Sequence, residues 1–532
     1  MRDYDVVIAG FGPTGALAAN LLGKYGIRTL VVDPQPAIYD IPRGVHFDGE
    51  TMRIFQSVGL ADAIFAQSAC NKSLNFVNSR GLSLMRVELD GLPQTTGWPA
   101  SIFFRQPLVE KHLRDHLSHF DSVTENPGWA LRELMQDEDG VELTLQDVES
   151  GEAKKIRAAY LIGADGADST VRQLLDIPLE DMQCDEPWLV VDWELEPDIT
   201  FNHDVYQFCD PARPGTLVPC AGQHIRWEFM INPGDDYDAM EEEDAVRAMM
   251  APYLHHLSPH IRPDQGQILR SKVYQFHGLL AERMRAGRVF LMGDAAHQMP
   301  PFLGQGMCAG LRDAENLIWK LAGVLGGRYE AHILSSYHSE RHAHVRAVIK
   351  QAVKIGEIIQ TRNRLKAIMR DTFLRLGKLL PKLLSGIEFG QTWRLGSGLF
   401  SGDPASGRQI PQPLVHHPNT PDKTEKLDAF LPEGFCLLAL HNTGKADFQR
   451  VSDAYPQLDC KILVLGDDLV ETDGLLSVMA GQHRLSGFLL RPDRQIYAAL
   501  KEGGPPLPHQ LEEHLATLSQ HLFANGKKLP AE

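Results

Sequence analysis

Apolar and polar positions follow three different rhythms along this 532-residue chain, and each rhythm predicts a different kind of element. Near the start, residues 5–9 (DVVIA) and 28–32 (RTLVV) are short apolar runs of the kind that form buried strands. Between them lie GFGPTG at residues 10–15 and a helical spacing over 16–22, so the opening predicts one strand–turn–helix–strand unit. Residues 107–120 carry helical spacing at Leu108, His112, Leu113 and Leu117. Residues 141–146 and 156–162 read as strands flanking a turn near Gly151. Over 186–230 the rhythm changes to β-rich pieces (WLVVDWEL, DVYQF, IRWEFMI) separated by Pro, Gly and Asp, which predicts an antiparallel sheet. Residues 289–293 return to a buried strand, and a long helix follows from about Gly306, with Leu311, Ala314, Leu317, Ile318 and Leu321 on one face. Residues 398–422 are rich in Gly, Pro, Ser, Asn and His and read as a linker. Beyond it come apolar runs at 435–440, 461–465 and 487–490 and a helical pattern over 508–522, a smaller α/β unit.

Composition narrows the class. The length predicts two or three domains. A formal charge of −17 argues against a nucleic-acid or anionic-membrane partner. The seven cysteines are scattered and form no C-x-x-C pair, which fits reduced thiols in a cytoplasmic protein rather than a disulfide frame or a metal site. The chain enters its first strand directly, and no apolar run is long enough to cross a bilayer, so neither a signal peptide nor a membrane span is expected.

Three motifs carry the chemistry. In the first, Gly10 permits a tight turn, Gly12 lets the backbone approach a pyrophosphate, and Gly15 lets helix and strand pack closely. Pro13 and Thr14 open the helix, whose free N–H groups face the phosphates. Asp33 with Pro34 ends the second strand, where a carboxylate can accept hydrogen bonds from a ribose. The second motif is GADGADS at 163–169, with Asp165 at a strand-to-turn bend, a feature equally compatible with a purely structural turn. The third runs from Gly293-Asp294-Ala295-Ala296-His297 to Pro300-Pro301-Phe302-Leu303-Gly304-Gln305-Gly306-Met307. An acid at a strand end can hold a polyol chain, and a glycine-rich helix start aims N–H groups at an electron-rich ring edge.

In that order and at those separations, the trio resembles the single-component flavoprotein aromatic hydroxylases. Pro42-Arg43, then Asp48-Gly49-Glu50, FQSVGL, and VYQFHGLLAERMRAGRVFLMGDAAHQMPP are similar to the 3-(3-hydroxyphenyl)propionate hydroxylase branch. The resemblance covers residues 1–390, and the tail, with LLRPD at 489–493, looks like the thioredoxin-like domain of phenol-hydroxylase relatives. It implies an α/β fold with a Rossmann-like, glutathione-reductase-like FAD-binding domain (1–75, 100–182 and 270–395), an inserted antiparallel substrate sheet (76–99 and 183–269), and a small C-terminal domain (410–532). Residues 10–15 and Asp33 would hold the ADP half of FAD; Arg43 and Gln106 the pyrophosphate or ribityl region; Asp165 the cleft; Gly293 and Asp294 the ribityl chain. Pro301 and Gly304 to Met307 would lie at the flavin N1 and O2 edge. Position 44 is Gly where relatives often have Ala, and position 33 is Asp where Glu is usual.

Only one complete G-x-G-x-x-G is present, which fits transient use of NADH or NADPH as co-substrate. Hydride would reduce the flavin, O2 would add at C4a, and the hydroperoxide would pass oxygen to a phenolic ring. Substrate-side candidates are His46, Tyr206, Gln207, His224, Arg226, Phe229 and the Pro300 carbonyl. Arg226 reads either as the partner of a substrate carboxylate or as a strand arginine in a salt bridge. His46 and His224 could take a phenolic proton or be structural. His297 reads as structural, and Trp188, Trp193, Trp227 and Phe229 as sheet core before ligand cage. Competing readings are a tailoring monooxygenase for larger polyketide-like or heteroaromatic rings, an FAD oxidase, reductase or halogenase, and a flavin-binding module whose tail recruits a partner. The W-x-W-x-I-P stretch of halogenases is absent from the sequence. Monomer and homodimer both remain open.

Overall fold

A computed structural model describes residues 2–41, 43–379, 394–440 and 444–523. Pro42 of the Pro-Arg pair, residues 380–393 of the expected flavin span and residues 524–532 of the expected tail lie outside the described residues.

The apolar runs read as buried strands form the centre of one sheet. Its order is Arg285–Ala286, Val289–Leu291, Ala153–Gly163, Tyr4–Ala9, Thr29–Asp33, Val123–Pro127, with Val141–Asp147 and Trp129–Gln136 as an antiparallel side branch. Val6, Val7, Ile8 and Ala9 are all at most 3% exposed, as expected of a parallel strand covered on both faces. Helix Pro13–Lys24 packs against helix Gly306–Leu325, both on this sheet's core.

A second sheet runs His297–Gln298, Gly266–Ala281, Leu179–Leu195, His224–Met230, Gly215–Pro219, Asp204–Cys209, Ser73–Asn78, Ser83–Glu88. Strands 215–219, 266–281 and 297–298 lie outside the pieces that the sequence marks, and one pairing, 204–209 with 73–78, is parallel where an antiparallel sheet was expected. Strand 73–78 begins before the expected division at 76, strand 179–195 before the one at 183, and strand 266–281 runs past the one at 269. The missed strand 266–281 breaks its apolar residues up with Gln, Arg, Ser, Lys and His over 267–277, so no long apolar run marks that stretch. Trp193, Trp227 and Phe229 fill the core between this sheet and helix Glu243–Met250, while Trp188 packs edge-on against Phe302.

The C-terminal part is a four-stranded sheet ordered Lys461–Val464, Cys436–Ala439, Leu485–Leu490, Ile496–Lys501, with the first pair parallel and the others antiparallel. Helices Lys445–Asp453, Leu475–His483 and Leu507–Phe523 accompany it.

The expected linker is not a loose tether. Leu399 and Ile410 are buried, and Leu414–His416 forms a small sheet with Glu425–Lys426 and Val470–Glu471. Arg53 Nη1 donates to Ile410 O at 2.6 Å while its Nε and Nη2 donate to Asp428 at 2.7 and 2.6 Å. Gly, Pro and Ser mark irregular backbone, but they do not report whether that backbone is clamped.

A fully buried ion cluster closes the joint. Glu340 accepts from Arg491 Nη1 and Nη2 (each 2.9 Å), Lys320 Nζ (2.8 Å), Asn316 Nδ2 (2.7 Å) and Leu399 N (2.9 Å). Arg491 also donates to Asp493 at 3.0 Å. Burial opposes the Glu340 charge, yet Arg491 and Lys320 hold its carboxyl far below the usual range. Removing one partner strands a buried charge, which costs about 3–5 kcal/mol. Arg491→Ala is therefore expected to lower unfolding stability by about that amount. Denaturant unfolding followed by circular dichroism measures it, and a loss below about 1 kcal/mol would show that the cluster does not hold the C-terminal part in place.

Candidate functional site

The three motifs meet because their strands are neighbours. Val32, Ala9, Gly163 and Leu291 are paired in one row at the carboxyl ends of four adjacent parallel strands. The ladder continues one rung further: Gly10 N donates to Val32 O (2.8 Å), Ala164 N to Ala9 O (2.7 Å) and Met292 N to Gly163 O (2.9 Å). All three chains then turn outward at the same end, where ligands of open α/β sheets bind.

The crossing is too tight for side chains. Gly10 has φ +106°, and a Cβ there would sit 2.1 Å from Ala164 O. A Cβ on Gly15 would meet Gly10 O at 2.0 Å, whereas Gly12 faces open space with nothing within 4 Å. Gly12 caps the helix with no side-chain hydrogen bond and Pro13 occupies its first turn, leaving N–H groups for an anion. Asp33 accepts from Phe11 N (2.6 Å) and Gln35 N (2.7 Å), so its first task is to hold the turn, while its flank lines the cavity. Arg114 ties the same turn down by donating to Phe11 O at 2.7 Å. Gln106 Oε1 accepts from Arg43 N (3.0 Å) and Gly44 N (2.6 Å), which positions the 43–44 backbone beside the cleft.

Asp165 is occupied by its own turn, accepting from Ser169 Oγ at 2.5 Å and Val171 N at 3.0 Å. Arg172 joins that turn to the third motif by donating to Ala167 O (2.9 Å) and Ala295 O (3.0 Å). In the third motif Asp294 is exposed to the cavity. Its neighbours are fixed by buried Asp313, which accepts from Gly293 N (3.0 Å), His297 Nε2 (2.7 Å) and Arg341 Nε (2.7 Å). His297 thus has the structural role expected of it.

Gly304 turns left-handed at φ +63° before helix Gly306–Leu325, whose N-terminus carries no side-chain cap and lines the cavity. His46, on a short strand paired with Ile102–Phe103, contacts Gly304 O through Nδ1 at 3.2 Å and Ser101 Oγ through Nε2 at 2.8 Å. A carbonyl only accepts, so Nδ1 carries the proton, and burial lowers the imidazole pKa, favouring the neutral ring. Arg312 gathers the segment from beneath: Nε donates to Glu50 at 2.8 Å, Nη1 to Gln305 Oε1 at 2.9 Å, and Nη2 to Asp48. Burial would raise the Asp48 carboxyl, but Arg312 and the Thr51 N–H outweigh it and bring it to about 2. This clamp was missed; Asp48-Gly49-Glu50 was noticed only as part of a resemblance.

One cavity of about 2010 Å³ runs from these motifs across the inner face of the second sheet. Pockets for one small ligand span about 300–1,000 Å³, so there is room for a dinucleotide and a second molecule. Strand alternation decides which sheet candidates reach it. Gln207 and Arg226 line the cavity. Tyr206 and Phe229 have the opposite parity and face the core with Tyr253 and His256, so neither is a pocket residue. His224 is fully buried, 2.7 Å from Asp192, and does not line the cavity. Arg226 donates to Asp192 at 2.9 Å and to Arg43 O at 2.5 Å, so its salt-bridge reading holds although it lines the cavity. Pro300 is buried and is not among the lining residues, whereas Met299 and Pro301 are. Two lining residues were not singled out: Glu228, two positions beyond Arg226, and Arg270, which pairs with Asp192.

The FAD binding domain family matches residues 3–352. The chain belongs to that family. It is 35% identical over 528 residues, 94% of either chain, to the 3-(3-hydroxy-phenyl)propionate/3-hydroxycinnamic acid hydroxylase of Burkholderia cenocepacia (strain HI2424). It is 32% identical over 522 residues, 93% of this chain and 90% of the other, to the protein of that name from Mycolicibacterium smegmatis. In fold it is similar to the flavin-dependent monooxygenase PieE in complex with FAD and substrate (TM-score 0.80, 21% identity, 98% and 99% of the two chains). It is also similar to aklavinone-11 hydroxylase with FAD and aklavinone (TM-score 0.75, 23% identity, 97% and 99%). The protein is an FAD-dependent aromatic hydroxylase. The glycine crossing, the open face at Gly12, the uncapped helix starts and exposed Asp294 fit FAD.

Purified protein is expected to be yellow and to release FAD on denaturation. Asp294→Ala is expected to weaken FAD binding about tenfold or more, since a hydrogen bond to a charged group is worth about 1.5–3 kcal/mol. Fluorescence titration of the apoprotein measures this, and unchanged affinity would place the carboxyl outside the cofactor contacts.

Proposed function

We propose that this protein hydroxylates a phenolic ring bearing a carboxylate side chain, of the 3-(3-hydroxyphenyl)propionate or 3-hydroxycinnamate kind, using O2 and NADH or NADPH. The carrying observation is the single cavity that joins the FAD cradle to the second sheet. The hydroxylases of that name, similar over 94% of the chain, support the substrate class. Arg226 and Arg270, both held by Asp192, also bring guanidinium groups to the cavity wall, which suits a substrate carrying a carboxylate. Leu74, Val190, Val205, Val218 and Phe276 supply apolar walls for a ring.

Bound FAD supplies the redox chemistry, accepting hydride from the nicotinamide and activating O2, so that one oxygen enters the ring and the other leaves as water. The chain's own residues position and shield. Asp33, Arg114 and Gln106 hold the backbone around the ADP half, and Asp294 is the acceptor for the ribityl chain. Gly304 to Met307 offer backbone N–H groups to the electron-rich edge of the ring system, with His46 and Arg312 keeping that segment in shape. In this reading the second sheet is an inserted substrate domain. The tail is a thioredoxin-like domain, supported by its strand order and parallel first pair. No C-x-x-C is present in the chain, so its role is structural. Seven free cysteines support a reducing compartment such as the cytoplasm.

A panel of phenols tests the reading, following NAD(P)H oxidation with product analysis. A phenolic acid is expected to give a dihydroxylated product with about one NAD(P)H oxidised per ring. Peroxide release without product, or preference for multi-ring phenols over phenolic acids, would overturn it.

A further inference from the structure

Resting on the proposed phenol hydroxylation, we propose that Glu228 and Gln207 together hold the substrate's phenolic hydroxyl, and that Glu228 receives its proton. Gln207, Thr216 and Glu228 lie in one cross-strand row, Gln207 opposite Thr216 and Thr216 opposite Glu228. All three line the cavity, and all are buried, at 5%, 3% and 7% exposure. Thr216 Oγ1 donates to Gln207 Oε1 at 2.8 Å, which orients the Gln207 amide and leaves its NH2 directed elsewhere. The Glu228 carboxylate lines the cavity, where the Arg226 and Arg270 guanidinium groups favour its charge but do not outweigh its burial. Buried polar groups are almost always satisfied, so a donor and an acid facing one apolar-walled space point to a ligand with complementary groups. A hydroxyl is such a group: its oxygen accepts from the Gln207 NH2 and its O–H donates to the Glu228 carboxylate.

Place in the fold suits the role. Glu228 is two residues from Arg226, about 7 Å along the strand. Arg226 itself touches Arg43 O, at the start of the segment leading to His46. The charged groups facing Glu228 are Arg226 on its own strand, and Asp192 and Arg270 on the two strands beyond. Thr216 is its neutral neighbour on the other side. Burial pushes the Glu228 carboxyl up to about 7, with Asp192 adding to this and the two guanidinium groups opposing it. The acid is therefore poised to switch near neutral pH, where a proton acceptor is most effective. In the step, the phenol O–H bond breaks and its proton passes to the carboxylate. The electron pair moves toward the ring carbon, which forms a new C–O bond as the O–O bond breaks; the second oxygen leaves as water, and that carbon's hydrogen leaves as a proton when the ring regains aromaticity, the two electrons coming from NAD(P)H. Sign follows from the base form being required: the carboxylate is present above about pH 7 and lost below it.

The test uses FAD-loaded wild type, Glu228→Gln and Glu228→Ala. Binding of 3-(3-hydroxyphenyl)propionate and of 3-phenylpropionate is measured from perturbation of the flavin absorbance, alongside the pH profile of kcat/KM. Wild type is expected to favour the hydroxylated ligand, and Glu228→Ala to lose about tenfold of that preference. Glu228→Gln is expected to lower kcat about 10²-fold, the low end for general base catalysis, and to abolish the limb near pH 7. FAD content, measured after denaturation, controls for folding. An unchanged ligand preference in Glu228→Ala, a retained limb in Glu228→Gln, or equal affinity of wild type for the two ligands overturns the inference. If wild type discriminates the pair but oxygenates no phenol, the proposed function fails while the hydroxyl anchor stands.

Discussion

Everything in this molecule depends on a backbone crossing that excludes side chains. At the carboxyl ends of the central strands, Gly10 passes so close to Ala164 that even a methyl group would clash, and Gly15 passes equally close to Gly10. Four parallel strands in register make this possible, because each feeds its chain outward from the same row. Three motifs some 130–150 residues apart in sequence become one surface of N–H groups and carboxylates. A dinucleotide can approach such a surface closely only because the main chain, and not side chains, forms its wall.

The second consequence is the need for support from behind. A glycine-lined turn has little packing of its own, so charged residues brace it: Arg114 under the first turn, Arg172 under the second, Asp313 under the third, and Arg312 under Gly304 to Met307. Asp313 and Arg312 both sit on helix 306–325, and Lys320 on the same helix reaches the Glu340–Arg491 cluster. The C-terminal part is thereby joined to the helix whose N-terminus faces the cofactor space. A tail without redox cysteines thus has a physical use, fixing the position of that helix.

How much of this is legible in the sequence depends on the kind of signal. The strand ends and glycine turns are local, since an apolar run followed by Gly-x-Gly states its geometry within a few residues. The inner face of the second sheet is not local, but its parity is. Within 224–230, His, Arg and Glu alternate with Ile, Trp and Phe, so Arg226 and Phe229 cannot share a face. The same rule separates Tyr206 from Gln207. Applying it would have removed Tyr206 and Phe229 from the pocket and drawn attention to Glu228. What no local rule supplies is the third dimension: that Arg270, from a strand without an apolar run, meets Asp192, or that a Gly- and Pro-rich stretch is clamped by Arg53 and Glu340.

The polar network on that sheet also explains why the residue types alone point the wrong way. An arginine and a histidine on a strand facing a cavity look like substrate ligands. Here Asp192 accepts from both, and the carboxylate, not the substrate, sets their position. Breaking such a network leaves buried charge behind, so loss of activity on replacing Arg226 or His224 would report on the scaffold as much as on binding. Glu228 and the Gln207 NH2, which face the cavity with no hydrogen bond to a partner among the described residues, are less conspicuous in sequence. Specificity at a buried site comes from such groups, because a ligand lacking the matching hydroxyl leaves them desolvated and unpaired.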